Sequence, residues 1–145
     1  GKEARFPFGW LVDYQIPLKT PKSNDNEGLG KIDLLAKNGQ TATLLELKIF
    51  DSSEHPLKAF LEVYTYWKLL GGDRAQEFLA RSEAIGAVTL EKAVVFFKDS
   101  KIHHKLQDAS DDMKQFLRGL HIKCYIVKQS AEDAFVFEYA EEYKL

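Results

Sequence analysis

This chain has a single cysteine, no long apolar run and no strong net charge, and the first two of these features each exclude a class of protein. Cys124 is the single cysteine, which excludes a disulfide framework and argues against a zinc site built on cysteines. No apolar run approaches the roughly 18 residues of a membrane-spanning helix, and the sequence shows no secretory signal. We therefore expect a soluble, cytoplasmic segment that does not enter a membrane.

The residues that are present have the balance of an ordinary globular domain. Hydrophobic residues make up 45% of the chain and charged residues 29%, and ten Phe, six Tyr and two Trp supply bulky core material. A length of 145 residues is enough to bury one core without disulfides or metal ions. We expect a single domain over residues 1–145, either complete or cut from a longer protein.

Turn formers and apolar segments alternate in an order that predicts three strands followed by helices alternating with strands. The expected strands are 10–20, 31–37, 41–50, 92–98, 122–127 and 135–139, and the expected helices are 54–70, 73–82 and 103–119. The polar segment 21–30 predicts a loop, and residues 51–53 offer N-caps for the first helix. This order predicts an α/β or α+β fold with a mixed central sheet, and the very apolar later strands predict helices on both faces.

The most informative segment is the predicted hairpin around Asn38 and Gly39, a pair that favours a type I′ turn. Side chains alternate along a strand, so Glu46 and Lys48 share one face of the second strand. On the first strand, Asp33 lies a few residues from the turn and within reach of Glu46. The hairpin therefore predicts two carboxylates and one ammonium side by side within apolar strand sequence.

This combination has the chemistry that metal-assisted phosphodiester hydrolysis needs. Two carboxylates, with a main-chain carbonyl and water, suit Mg²⁺ or Mn²⁺, which prefer hard oxygen ligands. Such an ion polarises a phosphoryl oxygen and lowers the pKa of a bound water. The Lys48 ammonium can orient that water or stabilise charge in the transition state. A lone Glu-x-Lys on a strand, in contrast, is most often a solvated ion pair of small energetic weight.

The residues GKIDLL, followed after an interval by ELK, resemble the PD-(D/E)xK nuclease superfamily, which has the restriction-endonuclease-like fold. The resemblance implies an αβββαβ core, a metal site of Asp33 and Glu46, Lys48 as the catalytic lysine, and DNA as the substrate. Lys31, just before the first carboxylate, is then a phosphate-contact candidate. The helix that normally precedes the first strand has only residues 1–9 available, and Glu3 is the one acid there. Either the chain is trimmed from a longer protein or the site is incomplete.

A further likeness lies on the helix after the hairpin. Glu62 and Tyr66 are four residues apart and share a face, away from an apolar stripe that includes Leu57, Leu61 and Trp67. In the exonuclease-like branch of the superfamily, a Gln-x-x-x-Tyr motif in a similar place supports the metal site and binds DNA. The resemblance makes Glu62 and Tyr66 candidate substrate-binding residues. The alternative is a surface glutamate beside a core tyrosine.

Charge bears on the choice between this reading and two rivals. The net charge of −2 counts mildly against a nucleic-acid binder, although residues 19–48 carry five lysines against four acids and so allow a locally basic cleft. The leading prediction is a metal-dependent deoxyribonuclease. One rival is a module of the same fold that binds or scaffolds nucleic acid without cleaving it. The other is an unrelated protein-interaction domain in which Glu46 and Lys48 form a surface ion pair.

Overall fold

A six-stranded sheet forms the centre of the computed structural model, which describes residues 6–17, 31–129 and 137–145. Its strands are β1 Trp10–Pro17, β2 Lys31–Asn38, β3 Thr41–Lys48, β4 Thr89–Phe97, β5 Lys123–Gln129 and β6 Phe137–Tyr143. The helices are α1 Pro56–Leu69, α2 Gln76–Arg81, α3 Lys101–Gln107 and α4 Asp111–Gly119, with a 3-10 turn at Gly72–Arg74. The predicted loop at 21–30 and the candidate acid Glu3 lie outside the described residues.

The order of strands across the sheet follows their order along the chain. β1, β2 and β3 pair antiparallel, β3, β4 and β5 pair parallel, and β6 returns antiparallel to β5. Each parallel pair needs a crossover, which α1 and α2 supply between β3 and β4, and α3 and α4 between β4 and β5. The predicted mixed α/β architecture, a mixed sheet flanked by helices, is confirmed.

The described helices cover one face of this sheet. Both crossovers step in the same direction, and right-handed crossovers then place their helices on the same side. The main hydrophobic cluster joins helix residues such as Phe60 and Leu117 to strand residues such as Val94. The cluster on the opposite face is built on strand residues around Phe8 and includes no residue of a described helix. The sequence predicts helices on both faces, but in this part of the chain the helices lie on one face only.

The predicted hairpin of β2 and β3 is confirmed, but its turn lies one residue later than expected. Asn38 pairs with Thr41, so the two loop residues are Gly39 and Gln40. Gly39 has a φ of 61° and Gln40 has a negative φ. Positive φ at the first central residue alone is the pattern of a type II′ turn, whereas type I′ requires it at both. The predicted type I′ turn is therefore wrong.

Helix α1 begins two residues later than the sequence predicts, because His55 rather than a residue of 51–53 is its N-cap. The Leu57 N–H donates to His55 Nδ1 at 3.1 Å, and Pro56 fills the first helical position, where a missing N–H costs nothing. The end of the helix before Gly71 agrees with the prediction. Gly71 has a φ of 114°, which side-chain-bearing residues rarely adopt.

The single helix predicted for residues 103–119 is instead two helices. Ser110 interrupts it by capping α4, since its hydroxyl accepts a hydrogen bond from the Met113 N–H at 3.1 Å. Asp111 and Asp112 then occupy the first turn, where negative side chains are favourable.

No helix in the described ranges combines the length and apolar character needed to cross a membrane.

Candidate active site

Asp33, Glu46 and Lys48 come together on the helix-covered face of the sheet. In β3, Glu46 and Lys48 follow Leu44, whose side chain is part of the main hydrophobic cluster under the helices. Leu34 pairs with Leu45, so Asp33 and Glu46 hold the next positions of the two antiparallel strands. The geometry predicted from the hairpin is therefore present.

The Asp33 carboxylate is held by the backbone of the neighbouring strand. Its Oδ2 accepts a hydrogen bond from the Leu47 N–H at 2.9 Å. This bond fixes one carboxylate oxygen beside the segment that carries Glu46 and Lys48. The site thus rests on two paired strands rather than on a loop, which favours a rigid arrangement.

The Lys48 ammonium lies among three glutamates. Its Nζ is 2.6 Å from Glu54 Oε2, 3.1 Å from Glu46 Oε1 and 3.4 Å from Glu62 Oε2. The side chains of Lys48 and Glu46 are only 14% and 8% exposed. A solvated ion pair on an open strand face is therefore the wrong description of Glu46 and Lys48.

Glu54 is a site residue that the sequence interpretation missed. It lies just before α1 and makes the shortest of the Lys48 contacts. A signal was available, because Glu54, Lys58 and Glu62 repeat every four residues and so share one helical side. Lys58 Nζ is 3.0 Å from Glu54 Oε1 and 3.9 Å from Glu62 Oε1. This row of charges holds both glutamates towards Lys48.

Burial and crowding make the two β-strand carboxyl groups reluctant to ionise. Burial, followed by the nearby Asp33 charge, raises the pKa of Glu46 to about 7, although the hydrogen bond from Lys48 opposes this shift. Burial also raises the pKa of Asp33, against the lowering effect of the Leu47 N–H. A bound cation would relieve both effects, since it would favour the charged form of each carboxyl.

Lys48, in contrast, is held in its charged form. Burial alone would lower the pKa of Lys48, but its hydrogen bonds with Glu54 and Glu46 outweigh burial and raise that pKa above its ordinary value. An ammonium of this kind is a poor general base, because it does not release its proton near neutral pH. Its chemistry is that of a fixed positive charge and hydrogen-bond donor.

One atom, Glu46 Oε2, indicates whether a divalent ion fits this group of residues. Glu46 Oε2 is buried and has no hydrogen-bond partner, which is costly for a carboxylate oxygen. That oxygen, together with Asp33, is a suitable pair of hard ligands for Mg²⁺ or Mn²⁺. In the described parts of the chain, no group of three or more His, Cys, Asp or Glu side chains is arranged to hold a metal. An ion here would take its remaining ligands from main-chain carbonyls and water.

The other predicted site residues have different outcomes. Glu62 contacts Lys48, and Tyr66 is near enough that burial first and then the charges of Glu62 and Glu46 raise its pKa. Tyr66 also packs against the main hydrophobic cluster, so it has a structural role as well. Lys31 begins β2, and its side chain lies outside the described residues.

The stripe expected on α1 differs from the observed buried face. Leu61 is 40% exposed, and Ala59 and Val63 take its place in the core beside Phe60 and Trp67. Ala59 and Val63 are smaller than leucine, and their presence on the buried face lets α1 lie close to β3 and β4. Glu62 is thereby brought over the end of β3, where it reaches Lys48.

Acidic groups outnumber basic ones around the site. Four carboxylates, those of Asp33, Glu46, Glu54 and Glu62, surround Lys48, and Lys58 is the further cation in contact with them. The locally basic cleft that the sequence allows is not found among the described side chains. The site as described attracts cations more readily than phosphates, and a divalent ion would reverse part of this imbalance.

Cys124 and His103, two residues with potentially reactive side chains, have structural roles. Cys124 is buried in the main cluster. His103 is also buried, and its Nδ1 accepts a hydrogen bond from the Asp99 N–H at 2.9 Å. Asp99 has a φ of 62°, so this bond stabilises a tight turn before α3.

The raised pKa of Glu46 predicts a pH-dependent effect of Glu46→Gln on stability. A carboxyl whose folded pKa is about 7 stabilises the fold below its unfolded pKa of 4.5, and that contribution is lost as the pH rises through 7. Glutamine keeps the shape and never ionises. We expect Glu46→Gln to raise the free energy of unfolding by about 1–3 kcal/mol at pH 8 and to change it little at pH 5. Urea unfolding in metal-free buffer at both pH values measures this, and an equal effect at both would contradict the burial argument.

Comparison with known proteins supplies no relative from which residue roles could be transferred. No protein-family model, no curated protein sequence and no solved structure matches this chain. A function for Asp33, Glu46 and Lys48 therefore has to follow from their own geometry and electrostatics, together with those of Glu54 and Glu62.

Proposed function

We propose that this chain is a PD-(D/E)xK-like nuclease domain that hydrolyses phosphodiester bonds in DNA with Mg²⁺ or Mn²⁺. One observation carries the proposal: a buried, partnerless oxygen of Glu46 lies beside Asp33 and next to the ammonium of Lys48. A fold gains no stability from the buried carboxyl of Glu46 beside the half-buried carboxyl of Asp33, whereas a metal site requires such a pair. An unfavourably buried charged group that a fold nevertheless retains is typical of a functional site.

The topology is compatible with the proposal. An antiparallel meander of β1, β2 and β3 leads through α1 to the parallel strand β4 and then through α3 and α4 to β5. This is the order expected of the βββαβ part of a restriction-endonuclease-like core. Within the described residues no helix precedes β1, so the first helix of that core has no counterpart there.

In the proposed mechanism, Asp33 and Glu46 bind the ion, which when bound supplies a Lewis acid for the phosphate and an acidified water. Lys48 donates hydrogen bonds towards the negative charge that develops on the phosphate oxygens. Glu54 and Glu62 keep that ammonium charged and in place. Tyr66 lines the same site from α1.

A neighbouring feature is suited to the nucleic acid itself. Phe50 lies two residues beyond Lys48, is 48% exposed, and lines a cavity of about 270 Å³ together with Lys98 and Lys128. An exposed aromatic ring next to lysines can stack on a base while the lysines face the phosphate backbone.

The excess of carboxylates favours one alternative, a module of the same fold that binds nucleic acid without cleaving it. In this alternative Lys48 remains occupied by its three glutamates, and no metal ion forms a productive complex. A protein that binds metal and DNA but shows no turnover would support it.

Calorimetric titration with Mn²⁺ tests the metal site directly. We expect the wild type to bind Mn²⁺ and the variant Asp33→Asn/Glu46→Gln to lose binding, because both hard ligands are neutralised. Glu46, with a pKa of about 7, should release about half a proton on binding at pH 7. Titration in two buffers of different ionisation enthalpy measures this release.

A matched control separates ligation from a general loss of negative charge. Glu77→Gln/Asp112→Asn also removes two carboxylates, but these are exposed residues of α2 and α4, which contribute nothing to the site. The control should bind Mn²⁺ like the wild type. Equal binding by all three proteins, or no binding by the wild type with or without DNA, would overturn the proposed site.

A further inference from the structure

We propose that a second site, at the opposite end of the parallel strands, binds a small organic anion through the ammonium of Lys92. A cavity of about 630 Å³ opens there, with Trp67, Leu90, Lys92 and Cys124 among its lining residues. In the β3–β4 pairing, Lys92 is beside Leu44 and Phe96 is beside Lys48. Four residues of strand, or about 13 Å, therefore separate this site from the candidate active site.

Lys92 is the unusual residue in the cavity wall. It is only 6% exposed, and its Nζ lies 3.7 Å from the centroid of the Trp67 ring and 5.8 Å from that of Tyr64. The Trp67 ring is fixed in turn, since its Nε1–H donates to the Leu90 carbonyl at 2.8 Å. In the described structure the Lys92 ammonium has aromatic neighbours but neither a hydrogen-bond acceptor nor an ion-pair partner.

The other cations around the cavity differ from Lys92 because each has an acceptor. Lys123 Nζ is 3.6 Å from Glu91 Oε2, and Lys144 Nζ is 3.0 Å from Glu142 Oε1. Arg118 Nη1 donates to the Leu145 carbonyl at 3.0 Å. Lys92 is also the most buried of these cations. A ligand would therefore find its strongest unmet donor at Lys92.

The missing partner defines the chemistry of the ligand. The Lys92 side chain is mostly buried and its ammonium reaches the cavity, where a cation–π contact recovers only part of the hydration that burial removes. Burial lowers the pKa of Lys92, while Asp73 and Glu91 favour its charged form from a longer range. A phosphate or carboxylate group would supply the acceptor directly. Inorganic phosphate would fill a small part of the cavity, and the apolar wall of Leu90, Ile122 and Cys124 can accommodate an attached organic group.

Tryptophan resonances provide a test on the wild-type protein. The chain has two tryptophans, Trp10 in β1 and Trp67 beneath Lys92, so the indole N–H signals report on the cavity and on a remote control. We expect titration with inorganic phosphate, adenosine monophosphate or benzoate to shift the Trp67 signal and leave Trp10 unchanged. A response to the phosphates alone identifies a phosphorylated ligand, and a response to benzoate alone identifies a carboxylate. No shift with any of the three at millimolar concentration would overturn the proposal.

Two lysine variants test whether Lys92 itself binds the anion. Lys92→Met keeps the length and burial of the side chain and should weaken binding at least about tenfold, the loss of one charge-assisted hydrogen bond. Lys123 lines the same cavity but already has Glu91 as a partner. The affinity of Lys123→Met for the anion should therefore stay within about twofold of the wild-type affinity. Equal weakening by both would indicate general electrostatic attraction and would contradict a specific site. Neither measurement depends on nuclease activity.

Discussion

Replacing Lys48 with methionine is expected to destabilise the fold by about 3 kcal/mol, because the loss of one partner from a buried ion cluster leaves its opposite charges uncompensated. The Lys48 ammonium has contacts with Glu46, Glu54 and Glu62, and its own side chain is 14% exposed. Methionine preserves the packing of the aliphatic chain, so the effect isolates the charge. Chemical unfolding at pH 7.5 measures it.

Lys58→Met is the matched control for this variant. Lys58 contacts two of the same glutamates, at 3.0 Å and 3.9 Å, but its side chain is 66% exposed. An exposed pair contributes less than about 1 kcal/mol, so Lys58→Met should be nearly neutral. If the two variants had the same small effect, Lys48 would behave as a surface lysine, which is what the interaction-domain interpretation requires.

A double variant separates the structural role of Lys48 from its proposed catalytic role. Adding Glu54→Gln to Lys48→Met removes the carboxylate with the shortest contact, so part of the lost stability should return. Cleavage of DNA should not return, because no ammonium remains to stabilise the phosphate charge. A loss of about 10²–10³-fold in rate is expected for both variants. Recovery of cleavage together with stability would mean that Lys48 acts through folding alone.

The hairpin and its three charged residues could be predicted because both follow from local rules. Strand alternation puts Glu46 and Lys48 on one face, and a two-residue loop after Asn38 fixes how far Asp33 lies along the partner strand. Both turn types have two loop residues, and placing the loop one residue later shifts the pairing by two residues, so every side chain keeps its face of the sheet. An error in the turn, from type I′ to type II′, therefore left the predicted site intact.

Spacing alone could group Glu54 with Lys58 and Glu62, but it could not place Glu54 beside Lys48, because that contact depends on tertiary packing. The sequence suggests a helix near it but not how α1 lies across β3 and β4. Small residues at Ala59 and Val63 decide that approach, and the predicted stripe had placed the exposed Leu61 there instead. Long-range packing of this kind is what single-sequence patterns determine least.

The interruption between α3 and α4 shows a competition between two local signals. Apolar spacing across residues 103–119 favours one helix, whereas Ser110 followed by two aspartates is a good start for a new one. The cap prevails because Ser110 satisfies the otherwise unpaired Met113 N–H.

Lys92 was also missed as a candidate binding residue. Within the run KAVVFFK it resembles a polar strand end, and only the packing of Trp67 shows that it is buried.

Replacing both proposed metal ligands, Asp33→Asn with Glu46→Gln, is expected to lower the rate of metal-dependent DNA cleavage by at least about 10³-fold, which corresponds to several kcal/mol of lost transition-state stabilisation. The measurement is single-turnover cleavage of a linear duplex with Mn²⁺, at enzyme concentrations above the dissociation constant for DNA. Glu77→Gln/Asp112→Asn, which leaves the site unaltered, should cleave at the wild-type rate. Retained cleavage in the Asp33→Asn/Glu46→Gln protein would remove both carboxylates from the mechanism.

The same variant should be more stable than the wild type above pH 7. Its stability and its cleavage rate are therefore expected to change in opposite directions. Asparagine can still accept the Leu47 N–H, and glutamine can still accept from Lys48, so the hydrogen bonds to both positions are preserved. What disappears is the burial of the ionised Glu46 carboxyl and, second, its repulsion by the half-buried Asp33, which together hold the pKa of Glu46 near 7. A purely structural pair would lose stability on substitution, because a structural contact contributes to folding. If both results are obtained, a pair of carboxylates that weakens the metal-free fold and yet is required for cleavage would be explained by a bound cation.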